Sequence, residues 1–166
     1  MTIRVYASWL LLVLIISSSA CGQAIPRELW GKWRIARELP ARTISCWGES
    51  DAKKIIGTQV EYSERFFRWN QITISNPASE ARVVTANQFR EENSSPSSNG
   101  SQVDFRQLGI SAEEVKEISI HHERANVSGA TVEIPGDVLV KDENTIVFSV
   151  CNLYFEAERV SCEEIG

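Results

Sequence analysis

The stretch Leu29-Trp30-Gly31-Lys32-Trp33-Arg34-Ile35 restricts the fold of this chain more than any other. From Trp33 on, apolar residues fall on alternate positions (Trp33, Ile35, Leu39), with Lys32, Arg34, Ala36 and Glu38 between them. That period of two belongs to a strand with one buried face, because successive side chains on extended backbone point to opposite sides. Gly31, two residues ahead of Trp33, lets the backbone pass close to another element while the indole fills the bottom of a core. A first strand is expected over 30–38, with Pro40 ending it.

Downstream, short strands recur. Cys46-Trp47-Gly48-Glu49 reads as a turn; Ser50 caps a short helix with Ala52, Ile55 and Ile56 on one face, and Gly57 stops it. Val60 and Tyr62 mark a second strand. Residues 66–75 are rich in aromatic and β-branched types, but their apolar parity slips between Phe67/Trp69 and Ile72/Ile74. Such a slip predicts a bulge or a strand that changes face. Asn76-Pro77 breaks the run, 82–85 is a short strand, and Thr85 with Gln88 forms a capping box for a helical turn carrying Phe89. Residues 92–102 have no apolar period and read as a mobile loop. A second capping-box pattern at 111–114 predicts one helical turn, and Ile118, Ile120 and His122 share a strand face. Strands at 137–140 and 146–150 are joined by the polar turn 141–144. After a tight turn near Cys151-Asn152, the last strand (153–160) places Leu153, Phe155, Ala157 and Arg159 on one face.

About eight short strands with two or three small helices and no internal repeat predict an antiparallel barrel or sandwich. A chain of 166 residues builds one domain with a real core. Its formal net charge of -5, without a cluster of Lys and Arg, argues against nucleic acid as a partner.

Residues 1–20 read as a targeting segment. Arg4 supplies a positive n-region, and 5–16 form an apolar run too short for a membrane span. Ser17-Ser18-Ser19-Ala20 then leads into Cys21-Gly22. This resembles a bacterial lipobox, with Ser18 where an aliphatic residue is usual. The resemblance implies lipidation of Cys21 (palmitate among the acyl groups), a signal peptide over 1–20 and a membrane anchor without a spanning helix. Residues 21–29 are then a tether, 30–162 the β-barrel domain and 163–166 a tail. Gly22 lacks the acidic inner-membrane retention signal, which implies a periplasm-facing outer-membrane lipoprotein in a host with an outer membrane. Ordinary secretion, with cleavage after Ala20 or Ala24, is the alternative. Export favours a disulfide, for which Cys46 with Cys151 is the expected pair and Cys46 with Cys162 the competing one.

Gly31 and Trp33 in the first strand, about eight antiparallel strands, and Arg159 at the end of the last strand resemble the lipocalin (calycin) barrel. The resemblance implies that Trp33 sits at the closed end of a lipocalin-like β-barrel with Arg159 packed across it. A guanidinium over an indole is also favourable unaided, by about 0.5–2 kcal/mol. The layout is similar to that of uncharacterised small bacterial lipoproteins as well.

No chemistry is written into the remaining residues. His121-His122-Glu123 is the metal candidate, but neighbours on a strand point to opposite faces and no further histidine exists, so no metal is expected. Acidic pairs such as Glu91-Glu92 and Glu113-Glu114 read as solvated faces, and no nucleophile elbow, phosphate loop or Cys-x-x-Cys occurs. No enzymatic activity, catalytic residue or cofactor is expected. Phe67, Trp69 and His122 are the candidate lining for a small apolar or amphipathic ligand. The alternative is an envelope protein-interaction module with a filled core, whose working surface is the 92–102 loop.

Overall fold

The computed structural model describes residues 23–41, 48–94, 102–121, 126–127, 130–131 and 135–161. In order, the strands are β1 (Gly31–Glu38), β2 (Gln59–Tyr62), β3 (Phe66–Trp69), β4 (Ile72–Ser75), β5 (Ala78–Thr85), β6 (Glu114–His121), β7 (Asn126–Val127), β8 (Ala130–Thr131), β9 (Asp137–Val140), β10 (Thr145–Val150) and β11 (Leu153–Arg159). Two short helices, α1 (Glu49–Ile55) and α2 (Ala86–Glu92), follow β1 and β5. Strands β7 and β8 form a separate ribbon; the other nine make one sheet in the order β4-β3-β2-β1-β11-β10-β9-β6-β5.

Every neighbouring pair in that sheet is antiparallel. Nine alternating strands leave the two edge strands, β4 and β5, running in the same direction, so they cannot close as an antiparallel pair. Yet only Asn76 and Pro77 separate them in the chain. Two edges joined by two residues force a strong curl, and the sheet is an open half-barrel. Residues 72–85 thus form one run, broken at Asn76 (φ 49°) and Pro77, whose first half bonds to β3 and whose second half bonds to β6.

The count of about eight strands is corrected here. Residues 66–75 are neither bulged nor face-switching; they are a hairpin, with Trp69 opposite Ile72 and Asn70 turned into the left-handed region at φ 52°. A two-residue turn resets side-chain parity, which accounts for the slip in the sequence. The expected short strand at 82–85 extends back to Ala78.

The curled sheet has apolar clusters on both faces. On the concave side lie Trp33, Val60, Tyr62, Phe67, Ile118, Val138, Ile146, Phe148, Phe155 and Ala157. On the convex side of β5, β6, β9, β10 and β11, the residues Val84, Val115, Leu139, Val147 and Tyr154 pack under Phe89 of α2 and under Val103, Phe105, Leu108 and Ile110. This outer layer explains why Ile146, Val147 and Phe148 are all buried: that part of the sheet is covered on both sides. Leu39 belongs to this second cluster rather than to the face of Trp33 and Ile35. The register of β1 on β11 shifts between Ile35 and Arg37, and the extra residue flips every side chain after it.

Helix α2 begins with the expected capping box: Gln88 N donates to Thr85 Oγ1 (3.3 Å) and Thr85 N to Gln88 Oε1 (3.0 Å). The similar pattern at 111–114 makes no helix, because β6 starts at Glu114 and Glu113 O accepts from Ala86 N. Gly48, not Ser50, caps α1. Cys151 and Asn152, both left-handed (φ 54° and 62°), form the two-residue turn between β10 and β11.

Residues 23–29, expected as a tether, are part of the domain. Gln23 bridges to Ser79 on the free edge of β5, residues 27–29 form a 3-10 helix, and Ile25 and Leu29 are buried. The burial of these two apolar side chains holds the segment against the sheet.

Candidate functional site

The floor of the half-barrel is assembled around Arg159. Its guanidinium stacks 4.1 Å from the centroid of the Trp33 ring. From there Nη1 donates to Trp30 O (2.6 Å), Nη2 to Glu28 O (2.7 Å) and Nε to Glu143 O (2.9 Å). The Trp33 indole N–H in turn donates to Leu29 O (2.8 Å), so the 3-10 turn is held to the sheet from both sides. Gly31 has φ +125°, and a Cβ there would lie 3.0 Å from Arg159 Nη1. Only glycine lets the backbone pass this close to the guanidinium. Burial draws the Arg159 pKa below its ordinary value without threatening its charge.

Above this floor the concave face is apolar. Tyr62 faces Gly31 across the β1–β2 pair, and its ring lies 5.2 Å from that of Phe67. Tyr62 is 1% exposed, and among the described residues its hydroxyl is the buried side-chain polar atom without a hydrogen-bond partner. Burial raises the pKa of this phenol well above the usual tyrosine range, so it stays protonated and can donate. Beyond β3, Ile74 and Ile72 of the edge strand β4, opposite Phe67 and Trp69, are only half-buried against the concave cluster. At the far end of β1 and β2, α1 covers the cluster with Ala52 and Ile55, and the Trp69 indole reaches Thr58 Oγ1 (3.4 Å).

Polar groups concentrate on the convex face. A cavity of about 50 Å³ beneath α2 is lined by Asn93, Glu117, Asp137, Ser149 and Tyr154 together with apolar neighbours. The Tyr154 hydroxyl donates to Asn93 Oδ1 (2.9 Å), and burial, then Asp137 and Glu117, push its pKa up to about 12. Arg82 binds both Glu117 and Glu92. Glu156 lies between Arg37 (2.9 Å) and Lys141 (2.9 Å); the Arg37 hydrogen bond holds its carboxyl below the usual range, against the effect of burial and with help from Lys141. Arg82 thereby ties α2 to β5 and β6, while Glu156 links β11 to β1 and to the turn after β9. Among the described residues, no group of three or more His, Cys, Asp or Glu is placed to hold a metal ion.

Gly31, Trp33 and Arg159 meet at the floor. Phe67 and Trp69 sit together in the concave cluster, 0% and 3% exposed. Cys151 is disulfide-bonded and occupies the β10–β11 turn. Cys21, Cys46, Cys162 and His122 lie outside the described residues, as do residues 95–101 of the expected loop. Reading the sequence alone gave Tyr62 a place among the strand aromatics but its hydroxyl no role, since nothing local marks a hydroxyl that will lack a partner. It also missed the covering segment 23–29, whose Ile25 and Leu29 carry the one visible signal. The sequence matches no family model, and neither a curated protein nor a solved structure is similar to it at a significant level.

Proposed function

We propose that this protein is a lipid-anchored binding module of the cell envelope that holds a small apolar or amphipathic molecule on the concave side of its curled sheet. We read the sheet as a lipocalin-like barrel parted between β4 and β5, anchored through Cys21 and stapled by a Cys46–Cys151 disulfide. The role is binding rather than catalysis. One observation carries the reading: a fully buried, protonated Tyr62 hydroxyl with no partner among the described residues, set in an apolar lining. Leaving such a donor unpaired costs about 1–3 kcal/mol, which a ligand with a carbonyl, carboxylate or ether oxygen recovers on binding. Ile72 and Ile74, half-buried at the parted edge, offer its apolar body a surface continuous with Phe67 and Trp69. A ligand of this kind needs no cofactor.

A filled core with a protein-interaction role is the second reading, supported by the near-complete burial of Phe67 and Trp69. Native mass spectrometry of the protein purified from its own envelope, before and after solvent extraction, separates the two. An extra mass that leaves on extraction, and that is reduced in Tyr62→Phe, supports the carrier. A bare mass that takes up none of the lipids offered to it rejects the carrier and favours a protein partner.

A further inference from the structure

We infer that the oxygen held by Tyr62 belongs to a neutral group, so that the ligand is an apolar ester, ketone or ether and not a fatty-acid anion or a phosphate. The inference rests on the carrier reading given above and narrows it. Gly31, Tyr62, Phe67 and Ile74 are successive partners across β1, β2, β3 and β4, and so share the concave face. Trp33 and Trp69 lie in the adjoining row, both paired with Val60. Their indole N–H groups are engaged, by Leu29 O (2.8 Å) and Thr58 Oγ1 (3.4 Å). Along these two rows the Tyr62 hydroxyl is the polar side-chain group left for a ligand.

Charge decides which acceptor can meet it. Among the described strand residues, the cations on the concave side are Lys116 and Arg159. Lys116 pairs with Glu28. Arg159 lies with its guanidinium on the Trp33 ring and gives Nε, Nη1 and Nη2 to the carbonyls of Glu143, Trp30 and Glu28. A carboxylate brought to Tyr62 therefore meets one hydrogen-bond donor and, among the described residues, no cation free to pair with it. Taking an unpaired anion out of water costs far more than a single phenol donor returns. A neutral carbonyl or ether oxygen accepts the same proton without that penalty. From Tyr62 the apolar surface runs over Phe67 to Ile74, half-buried at the edge of the sheet, and the uncharged body of the molecule lies along it.

The test offers methyl decanoate and decanoate together, in equal amounts at neutral pH, to the full protein in detergent micelles, with protein-free micelles as the reference. Bound probe is separated by gel filtration and quantified after extraction. Tyr62→Phe is the variant, since it keeps the ring against Phe67 and removes only the hydroxyl. The expected result is a preference for the ester of about a hundredfold over the reference, and a loss of ester affinity of about tenfold in Tyr62→Phe. In the infrared, the C=O stretch of the bound ester is lowered in the native protein and returns to its micelle value in the variant. Decanoate bound as tightly as the ester overturns the neutral class, and its loss in Tyr62→Phe then keeps the carrier reading. Ester bound equally by the variant, or with an unshifted C=O stretch, overturns Tyr62 as its partner. Retention of neither probe above the reference overturns the carrier reading and the inference with it.

Discussion

Replacing Gly31 by alanine tests the floor of the half-barrel most sharply, because two separable penalties meet at one atom. The first is conformational: at φ +125° an L side chain occupies a region open almost exclusively to glycine, at about 1–3 kcal/mol. The second is steric. The new Cβ lies 3.0 Å from Arg159 Nη1, and the guanidinium cannot retreat, since Nη1 and Nη2 hold Trp30 O and Glu28 O at 2.6 and 2.7 Å. Loosening one such charged hydrogen bond costs about 1.5–3 kcal/mol. Together Gly31→Ala should destabilise by about 2.5–6 kcal/mol, a large part of the 5–15 kcal/mol typical of a domain. Equilibrium urea unfolding measures the total, and a double-mutant cycle with Arg159→Met separates the parts. Without the guanidinium the steric term vanishes, so alanine at 31 should cost only the backbone term, with a coupling of at least about 1 kcal/mol. An equal cost in both backgrounds refutes the contact argument. A cost below about 0.5 kcal/mol in the native background refutes the strain argument as well.

Three further outcomes follow from the same structure. Tyr62→Phe removes an unpaired buried hydroxyl and should stabilise the ligand-free protein by up to about 1–3 kcal/mol, seen as a higher urea midpoint at unchanged slope; destabilisation by a comparable amount would show a hidden partner. Thr85→Ala deletes the cap of α2, which carries Phe89 onto the convex face, and should cost about 0.5–2 kcal/mol in thermal or urea unfolding. Glu156 has a folded pKa below its unfolded value of about 4.3, so its contribution is complete above that value and is lost as pH falls through the folded pKa. Glu156→Gln should therefore flatten the fall in stability as pH drops below about 4.3, and an unchanged acid limb would show that Arg37 and Lys141 do not act through it.

The strands were legible wherever one side of the sheet decides burial. Leu153, Phe155, Ala157 and Arg159 alternate with Tyr154, Glu156 and Glu158, and the structure divides them as the alternation says. The capping box at Thr85 and Gln88 was legible for the same reason, being complete within four residues. Leu39 was misassigned because a bulge adds one residue without any local mark. The parity slip at 66–75 was seen, but a slip alone does not distinguish a bulge from the hairpin at Asn70-Gln71. The pattern at 111–114 has the chemistry of a helix start, yet backbone pairing with Ala86 and the opening of β6 prevail over it.

By itself the sequence determined the local facts: where extended chain runs, where it turns, and which side chains share a face. These follow from φ preferences and from the two-residue period of a strand, and both act between near neighbours. What covers each face is a non-local question, and only the tertiary structure answered it. Alternation says that Val147 and Tyr154 point away from Phe148 and Phe155, but not that Phe89, Phe105 and Leu108 bury them. The parting of the sheet at β4 and β5 is decided by the whole ring, since an odd number of antiparallel strands cannot close. The unpaired Tyr62 hydroxyl and the fastening of residues 23–29 arise likewise from groups far apart in the chain, whose meeting no short window of residues contains.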